Sequence, residues 1–559
     1  MNFKSLLRKK SVANLSDESA DGHGGGMHKV LGVRDLTFFG IAAIIGGGTF
    51  SAIGAACYNG GPGVILLYII CAVACGFTAM CYAEFASRVP FSGSAYTYAY
   101  VSFGELFAWI IGWALLMEYS IGNIYIAFSW SSYFTNLLEG AGLHIPAWLT
   151  INYLEAKDAF LQSKQGEGMN AWNTAPIIGS LRIIFDLPAV LINVVITALV
   201  YIGTKESKNI SNAMVVLKMA IIILIILVGV FYIDIENWSP FMPNGFSGVM
   251  AAVSGVFFAY IGFDAVSTLA EEAKDPQRDL PKGMIYSLLI CTVVFVILCL
   301  VLTGMVSYSE LGVSDPLAKI FEIKQVKWML FIVSVAAVVA MTSVLLVFQM
   351  GQPRIWMSMS RDGLLPQKFS SIHPKYKTPG FSTIVTGFVV GLPLFFTNEK
   401  FVLDFTSIGT LFAFVLVCGG VLMLPRRDKD PSTEGMRRFH LPYINSKYIM
   451  PILTLCSLIL IILFIPDFFF GLFKFSEGEW MKKIPMLLFF ALCIYLSFLA
   501  YFKNLSLIPL LGLVSCCYLL TGMEAQNWKW FSIWLMIGLV VYFLYGYKKS
   551  VLNKKSNSL

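Results

Sequence analysis

Apolar runs of about 20 residues, each long enough to cross a bilayer, recur along the chain with short polar stretches between them. By that length criterion about fourteen spans are predicted. They begin near Thr37, Val64, Gly104, Pro188, Ser211, Gly248, Gly283, Lys327, Gly380, Phe401, Tyr448, Ile484, Leu505 and Trp530. The pattern predicts an all-α integral membrane protein, with the helix satisfying its own backbone inside the lipid. The first span holds an irregularity: Ile45-Gly46-Gly47-Gly48-Thr49-Phe50 lies in the middle of the apolar run 37–57. Glycine costs about 1 kcal/mol against alanine in a helix, so three in a row predict unwinding near the bilayer midplane. Bare backbone at that depth survives only where protein or a polar cavity satisfies it, and a polar cavity implies a substrate. The alternative is close packing, because small residues let membrane helices approach one another. Packing motifs usually space their glycines by four, whereas these are consecutive.

Secondary transporters commonly carry two interrupted spans in corresponding positions of two halves. Span 6, Ser254-Gly255-Val256-Phe257-Phe258-Ala259-Tyr260-Ile261-Gly262-Phe263-Asp264, supplies the second, with a mid-span Gly262 and an ionisable Asp264. The two lie five spans apart. Five is odd, so the second repeat enters the membrane from the opposite side and the repeat is inverted. A ten-span core at 31–425 is expected, with halves at about 31–233 and 246–425. A basic linker at 426–447 then leads to four additional spans at 448–548. The tail 1–30 is Gly/Ser/Asp-rich over 16–26 and expected to be disordered in part; a second tail covers 549–559. The loop 138–187 is long and carries no chemical motif.

Only 13% of the residues are charged and 57% are hydrophobic, against about a quarter charged in soluble domains. With both termini inside, roughly 28 Lys and Arg fall in cytoplasmic segments and about 11 outside. The prediction is a multi-pass protein of the plasma (inner) membrane with both termini cytoplasmic. The net charge of +7 follows from this bias and needs no nucleic-acid partner. No apolar core precedes residue 28, so no cleaved signal peptide is expected. Residues 4–10 read either as a basic flank or as a segment lying on anionic lipid. The cysteines fall mainly within apolar spans, and all five histidines in tails or loops. No metal-ligand spacing or disulfide pair emerges, and no cofactor or enzymatic role is expected. Oligomeric state is not legible.

Several stretches carry a family resemblance. They are Leu31-Gly32 with the run 41–50; Tyr82-Ala83-Glu84-Phe85-Ala86-Ser87-Arg88-Val89-Pro90; Ser92-Gly93-Ser94-Ala95-Tyr96; Phe257 to Asp264 continuing through Glu271-Glu272 to Pro276-Gln277-Arg278-Asp279-Leu280-Pro281; and Gly351-Gln352-Pro353-Arg354 leading into Met359-Ser360-Arg361-Asp362-Gly363-Leu364-Leu365-Pro366. The sequence resembles the cationic amino acid transporter family of the amino acid–polyamine–organocation (APC) superfamily over nearly its whole length. The final two spans resemble that family's C-terminal module.

The resemblance implies a LeuT-type five-plus-five inverted repeat with discontinuous spans 1 and 6. It implies import or exchange of amino acids across a lipid bilayer. In the family the substrate carboxylate meets backbone N–H groups at the span 1 break, here Gly46, Gly47 and Gly48. The ammonium meets carbonyls near Ile44 and Ile45 and at Phe258, Ala259, Tyr260 and Ile261. The physics agrees: free N–H groups at a helix N-terminus favour an anion, and a half-helix C-terminus favours a cation. Phe258 matches a family gate residue. Gly47 and Thr49 depart from the usual residues, as does Ala114 where relatives often carry Asp or Asn. Side-chain specificity is therefore open.

Ionisable groups within spans cost at least about 2.5–3.5 kcal/mol. Lys218 on span 5 reads either as a snorkelling flank or as a coupling group. In the second reading the resemblance places its ammonium where sodium-coupled relatives hold sodium. There it would touch carbonyls near the span 1 break and Thr342 or Ser343 on span 8. A desolvated lysine exchanges protons more readily than a solvated one, which makes the proton the expected coupling partner. Glu118 reads as a packing carboxyl or a partner for span 10. Glu84 with Arg88, and Asp264 with Glu271 and Glu272, read as a gate or as surface ion pairs of little energetic weight. The leading reading is a proton-coupled symporter of L-amino acids. An obligate exchanger and a non-transporting amino acid sensor are the alternatives.

Overall fold

The computed structural model describes residues 6–10, 30–89, 93–162, 166–179, 181–203, 205–313, 315–424, 439–464, 466–473 and 480–553. Most of the tail expected at 1–30, residues 425–438 of the linker and residues 554–559 lie outside the described residues. By length and apolarity eight helices qualify as membrane spans, or nine with the bent pair Gly245–Ala251 and Gly255–Glu272. Four shorter apolar helices accompany them: Leu187–Ile202, Gly380–Phe395, Ile449–Phe464 and Leu507–Thr521. One of the eight, Gly48–Arg88, contains both the C-terminal half of span 1 and all of span 2. With the N-terminal half of span 1 at Val33–Ile44, a helix stands at every predicted span.

The core is built around span 3 (Glu105–Gly140) and span 8 (Lys327–Arg361). The most apolar stretch of span 3 is 89% buried by protein, whereas those of Lys483–Lys503 and Ala525–Lys549 are 22% buried. Span 3 is therefore an interior post, and the late spans present most of their surface to lipid. Gly122 and Gly351 allow this close packing. A Cβ at Gly122 would fall 2.7 Å from the Phe348 ring, and one at Gly351 2.5 Å from the Tyr119 ring. The long loop after span 3 forms a separate small cluster. Its helices Tyr153–Leu161 and Glu167–Thr174 and the hairpin Ile177–Ile178/Leu181–Arg182 enclose Ala156, Ala171, Ala175 and Ile184.

Both predicted interruptions occur. In span 1 the helix Val33–Ile44 stops at Ile45, which is extended (φ −83°, ψ 99°). The chain restarts as a five-residue π-helical turn, Gly48–Ala52, and continues as Ile53–Gly60. In span 6 the helix Val253–Tyr260 ends at an extended Ile261. Gly262 follows at φ +118°, and the 3₁₀ helix Phe263–Glu272 completes the span. The positive φ explains glycine at this position. Its missing Cβ also matters, since a Cβ would sit 2.7 Å from that of Ala43. The two breaks thus touch one another.

Candidate substrate-binding site

At the span 1 break Thr49 N and Phe50 N both donate to Gly46 O at 2.9 Å, and Ile45 N closes the preceding helix on Ile41 O at 3.0 Å. Among the described residues, the N–H groups of Gly46 and Gly47 donate to nothing. Two donors thus stand open in a fully buried turn. The packing alternative holds at the same residues. A Cβ on Gly46 would lie 2.2 Å from Val344 Cγ2, and one on Gly48 2.4 Å from Ala259 Cα. The glycine run therefore frees backbone and admits spans 6 and 8 at once. Gly47 faces span 3, where a Cβ would meet Tyr125 Cε1 at 3.1 Å. Thr49 is buried in the same turn, and its hydroxyl has no partner among the described residues.

Across from this turn, Phe258 O accepts Ile261 N at 3.2 Å. Ile261 O accepts no backbone N–H among the described residues. Phe258 packs edge-on against Tyr125 with centroids 4.7 Å apart. Ala259 lies directly on Gly48. Tyr260 points away from the break and donates its hydroxyl to Tyr68 O at 3.0 Å. Its side chain is thus a span 2 contact, and only its backbone borders the break.

Lys218 is fully buried. Its Nζ donates to Ala42 O at 3.0 Å, Ile45 O at 2.6 Å and Ser343 Oγ at 3.0 Å. All three ammonium donors are used, which does not fit a lysine snorkelling to an interface. Ile44 lies between the two backbone acceptors and contributes none. Of the two span 8 hydroxyls, the structure brings Ser343 to the ammonium. Thr342 Oγ1 instead accepts Trp130 Nε1 at 2.9 Å and donates to Val338 O at 2.7 Å. Adjacent helical residues point about 100° apart, so only one of them faces span 5.

The carboxylates separate into two groups. Glu84 accepts Arg88 Nε at 2.7 Å within its own helix and Leu441 N at 2.7 Å. It therefore ties span 2 to the end of the linker. Glu271 and Glu272 do form interhelical ion pairs: Arg361 Nη1 meets Glu271 Oε1 at 3.1 Å, and Arg354 Nε meets Glu272 Oε1 at 3.0 Å. Asp264 takes no part in these pairs. It is buried with Glu118 and three tyrosines, Tyr82, Tyr98 and Tyr119. Both Asp264 oxygens, Glu118 Oε2 and the three hydroxyls lack partners among the described residues. Gly409 of span 10 lies against Glu118, with a Cβ there 3.9 Å from that of Glu118. Sequence reasoning marked the two carboxylates separately and did not single out the tyrosines. No group of three or more potential metal ligands occurs among the described residues.

A buried pair of broken helices, with open backbone donors and a lysine inside the bundle, belongs to a multi-pass membrane transporter. The comparisons with known proteins then identify it. A family model described as amino acid permease matches residues 31–474, and a second, the C-terminus of AA_permease, matches 505–550. The chain belongs to this amino acid permease family, whose members are transporters and not enzymes. It is 36% identical over 551 residues to the branched-chain amino acid permease BcaP of Bacillus subtilis (strain 168), covering 98% of this chain and 99% of the relative. It is 36% identical over 554 residues to the methylthioribose transporter of the same organism, covering 99% and 100%. It is 35% identical over 439 residues to the chloroplastic cationic amino acid transporter 9 of Arabidopsis thaliana, covering 78% and 73%.

Proposed function

We propose that the protein is a proton-coupled importer of free L-amino acids in the plasma (inner) membrane, with both termini cytoplasmic. Its transport core is read as two inverted repeats, 31–233 and 246–425. The observation that carries this reading is the span 1 break. It leaves Gly46 and Gly47 N–H open while Lys218 holds the carbonyl side of the same break. Gly46, Gly47 and Gly48 take the substrate carboxylate. Backbone carbonyls around Phe258 to Ile261 take the ammonium, and Phe258 closes over it with Tyr125. Such a site reads the zwitterion shared by all amino acids and leaves the side chain to the surrounding wall.

Lys218 supplies in every cycle the positive charge that a sodium ion would otherwise bring. Protonated, it holds the end of the Val33–Ile44 helix, where a cation is favoured by the helix dipole. Loss of its proton removes that hold and frees the half-helix to move. Uptake then rises as the outside pH falls and is indifferent to sodium.

The test is uptake into proteoliposomes under an imposed proton gradient, with and without sodium. The substrates span branched-chain, cationic and small neutral amino acids, together with methylthioribose. Accumulation of an amino acid driven by the proton gradient supports the reading. Accumulation driven only by sodium overturns the coupling. Strict one-for-one counterflow would make the protein an exchanger, and binding without uptake would make it a sensor. Accumulation of methylthioribose alone would overturn the substrate class.

A further inference from the structure

Residues 6–10 and 542–553 meet on one face of the bundle. Glu105, the first residue of span 3, is fully buried. Its carboxylate accepts Tyr542 OH at 2.9 Å, Ser550 Oγ at 2.5 Å, Tyr100 OH at 3.0 Å and Arg8 Nη2 at 3.5 Å. Asp362, the residue that ends span 8, accepts Lys10 Nζ at 2.5 Å and Tyr96 OH at 2.6 Å, and its carbonyl accepts Val551 N at 3.1 Å. Arg8 Nη1 then donates to Asn553 Oδ1 at 2.7 Å, joining the two ends to each other. Two left-handed glycines make room. A Cβ at Gly104 would fall 2.6 Å from the Leu7 carbonyl carbon, and one at Gly363 2.5 Å from Lys549 O. Residues 6–10 are thus docked on protein, not spread on lipid.

This cluster is continuous with the moving half of span 1. Arg361, next to Asp362, pairs with Glu271, and Arg354 one turn pair earlier pairs with Glu272. Glu272 O in turn accepts Val30 N at 3.0 Å and Leu31 N at 3.1 Å, and Lys274 N donates to Leu31 O at 2.8 Å. One connected set of contacts therefore runs from residues 550–553 through the end of span 8 and the end of span 6 to the start of span 1.

We propose that residues 6–10 and 542–553 form a clasp that holds this face of the transporter shut, and that the C-terminal module serves to close it. The inference rests on the transport reading above, in which the face bearing the termini is cytoplasmic and opens when the Val33–Ile44 helix swings. The clasp grips span 3 and span 8, which stay, and through Arg361 and Glu271 restrains span 6 and span 1, which move. Its release lowers the cost of inward opening. Buried charge-assisted bonds are suited to such a role, because breaking one partner leaves the other buried and unpaired.

Hydrogen–deuterium exchange on the purified full-length protein tests this without any substrate, so it stands or falls separately from the transport assay. Lys10→Glu places a negative charge against Asp362. It is expected to speed exchange of peptides covering 30–45 and 262–273 by about fivefold or more, within the range of ordinary coupling free energies. Lys10→Glu combined with Asp362→Lys is expected to restore wild-type exchange there. Tyr542→Phe with Ser550→Ala removes two Glu105 contacts without adding charge, and is expected to act in the same direction. Should Lys10→Glu fail to fold, this second variant carries the test. Unchanged exchange over 30–45 in a folded variant whose 6–10 peptide exchanges freely would overturn the clasp, as would a charge swap that restores nothing.

Discussion

The two helix breaks are built alike and charged oppositely. Behind the span 1 break stands Lys218, which occupies the carbonyls that end the N-terminal half-helix. In the first turn after the span 6 break stands Asp264, whose two oxygens have no partner among the described residues. Each placement follows the helix dipole, a cation at a C-terminus and an anion at an N-terminus. At span 1 the lysine takes up the electronegative side of the break, so what remains open is N–H. At span 6 the carboxylate sits beside the helix start, and Ile261 O accepts no backbone N–H among the described residues. In the proposed reading, the ionisable group behind each break sets which pole of a zwitterion the exposed backbone reads. Of the two, the span 1 charge is the one held by the backbone end of a half-helix, and the proposed coupling rests on it.

The largest expected effect removes that asymmetry. Lys218→Ala leaves Ala42 O and Ile45 O without their donor. Concentrative uptake under a proton gradient is expected to be lost, with accumulation falling to the equilibrium level in proteoliposomes. Full proton-driven accumulation by this variant would reduce the lysine to a packing residue. Next in size is Gly48→Val, whose side chain meets the Ala259 backbone. It is expected to destabilise the protein by about 1–3 kcal/mol through overpacking, read as a lowered melting temperature. Gly47→Ala sharpens the same point. Its methyl meets the Tyr125 ring at 3.1 Å and Ile126 Cγ1 at 3.3 Å, both side chains that can give slightly, so the fold is expected to hold while the crowded turn misaligns its N–H donors and substrate affinity drops up to about tenfold. Equal binding by Gly47→Ala and wild type would show that the turn accepts a methyl without moving its donors. The smallest effect separates two neighbours. Ser343→Ala is expected to weaken proton-driven uptake roughly tenfold, the low end for one hydrogen bond to a charged group. Thr342→Ala, which loses a Trp130 contact instead, is expected to leave it unchanged.

Much of this was legible in the sequence because lipid imposes simple rules. Apolar length located the spans, consecutive glycines located the first break, and the cost of a buried charge singled out Lys218. The choice between Thr342 and Ser343 was not legible. It depends on the rotational phase of span 8 against spans 3 and 5, which Trp130 settles by packing. The burial of Glu118 and Asp264 in one neighbourhood was likewise hidden, since it arises where spans 2, 3, 6 and 10 converge and leaves no local pattern. Glu84 read as a gate residue because it lies near a span end; its contacts to Arg88 and to Leu441 of the linker were not legible from that position. The contacts between the termini join residues more than 400 positions apart, beyond any periodicity.

The claim that the two breaks read a zwitterion is tested most directly by competition. For whichever amino acid the purified protein binds, isothermal titration compares it with the corresponding amine lacking the carboxylate and with its methyl ester. Both analogues are expected to bind at least about tenfold more weakly, because each loses a charge-assisted hydrogen bond worth about 1.5–3 kcal/mol. An amine that binds as tightly as its parent amino acid would contradict the account.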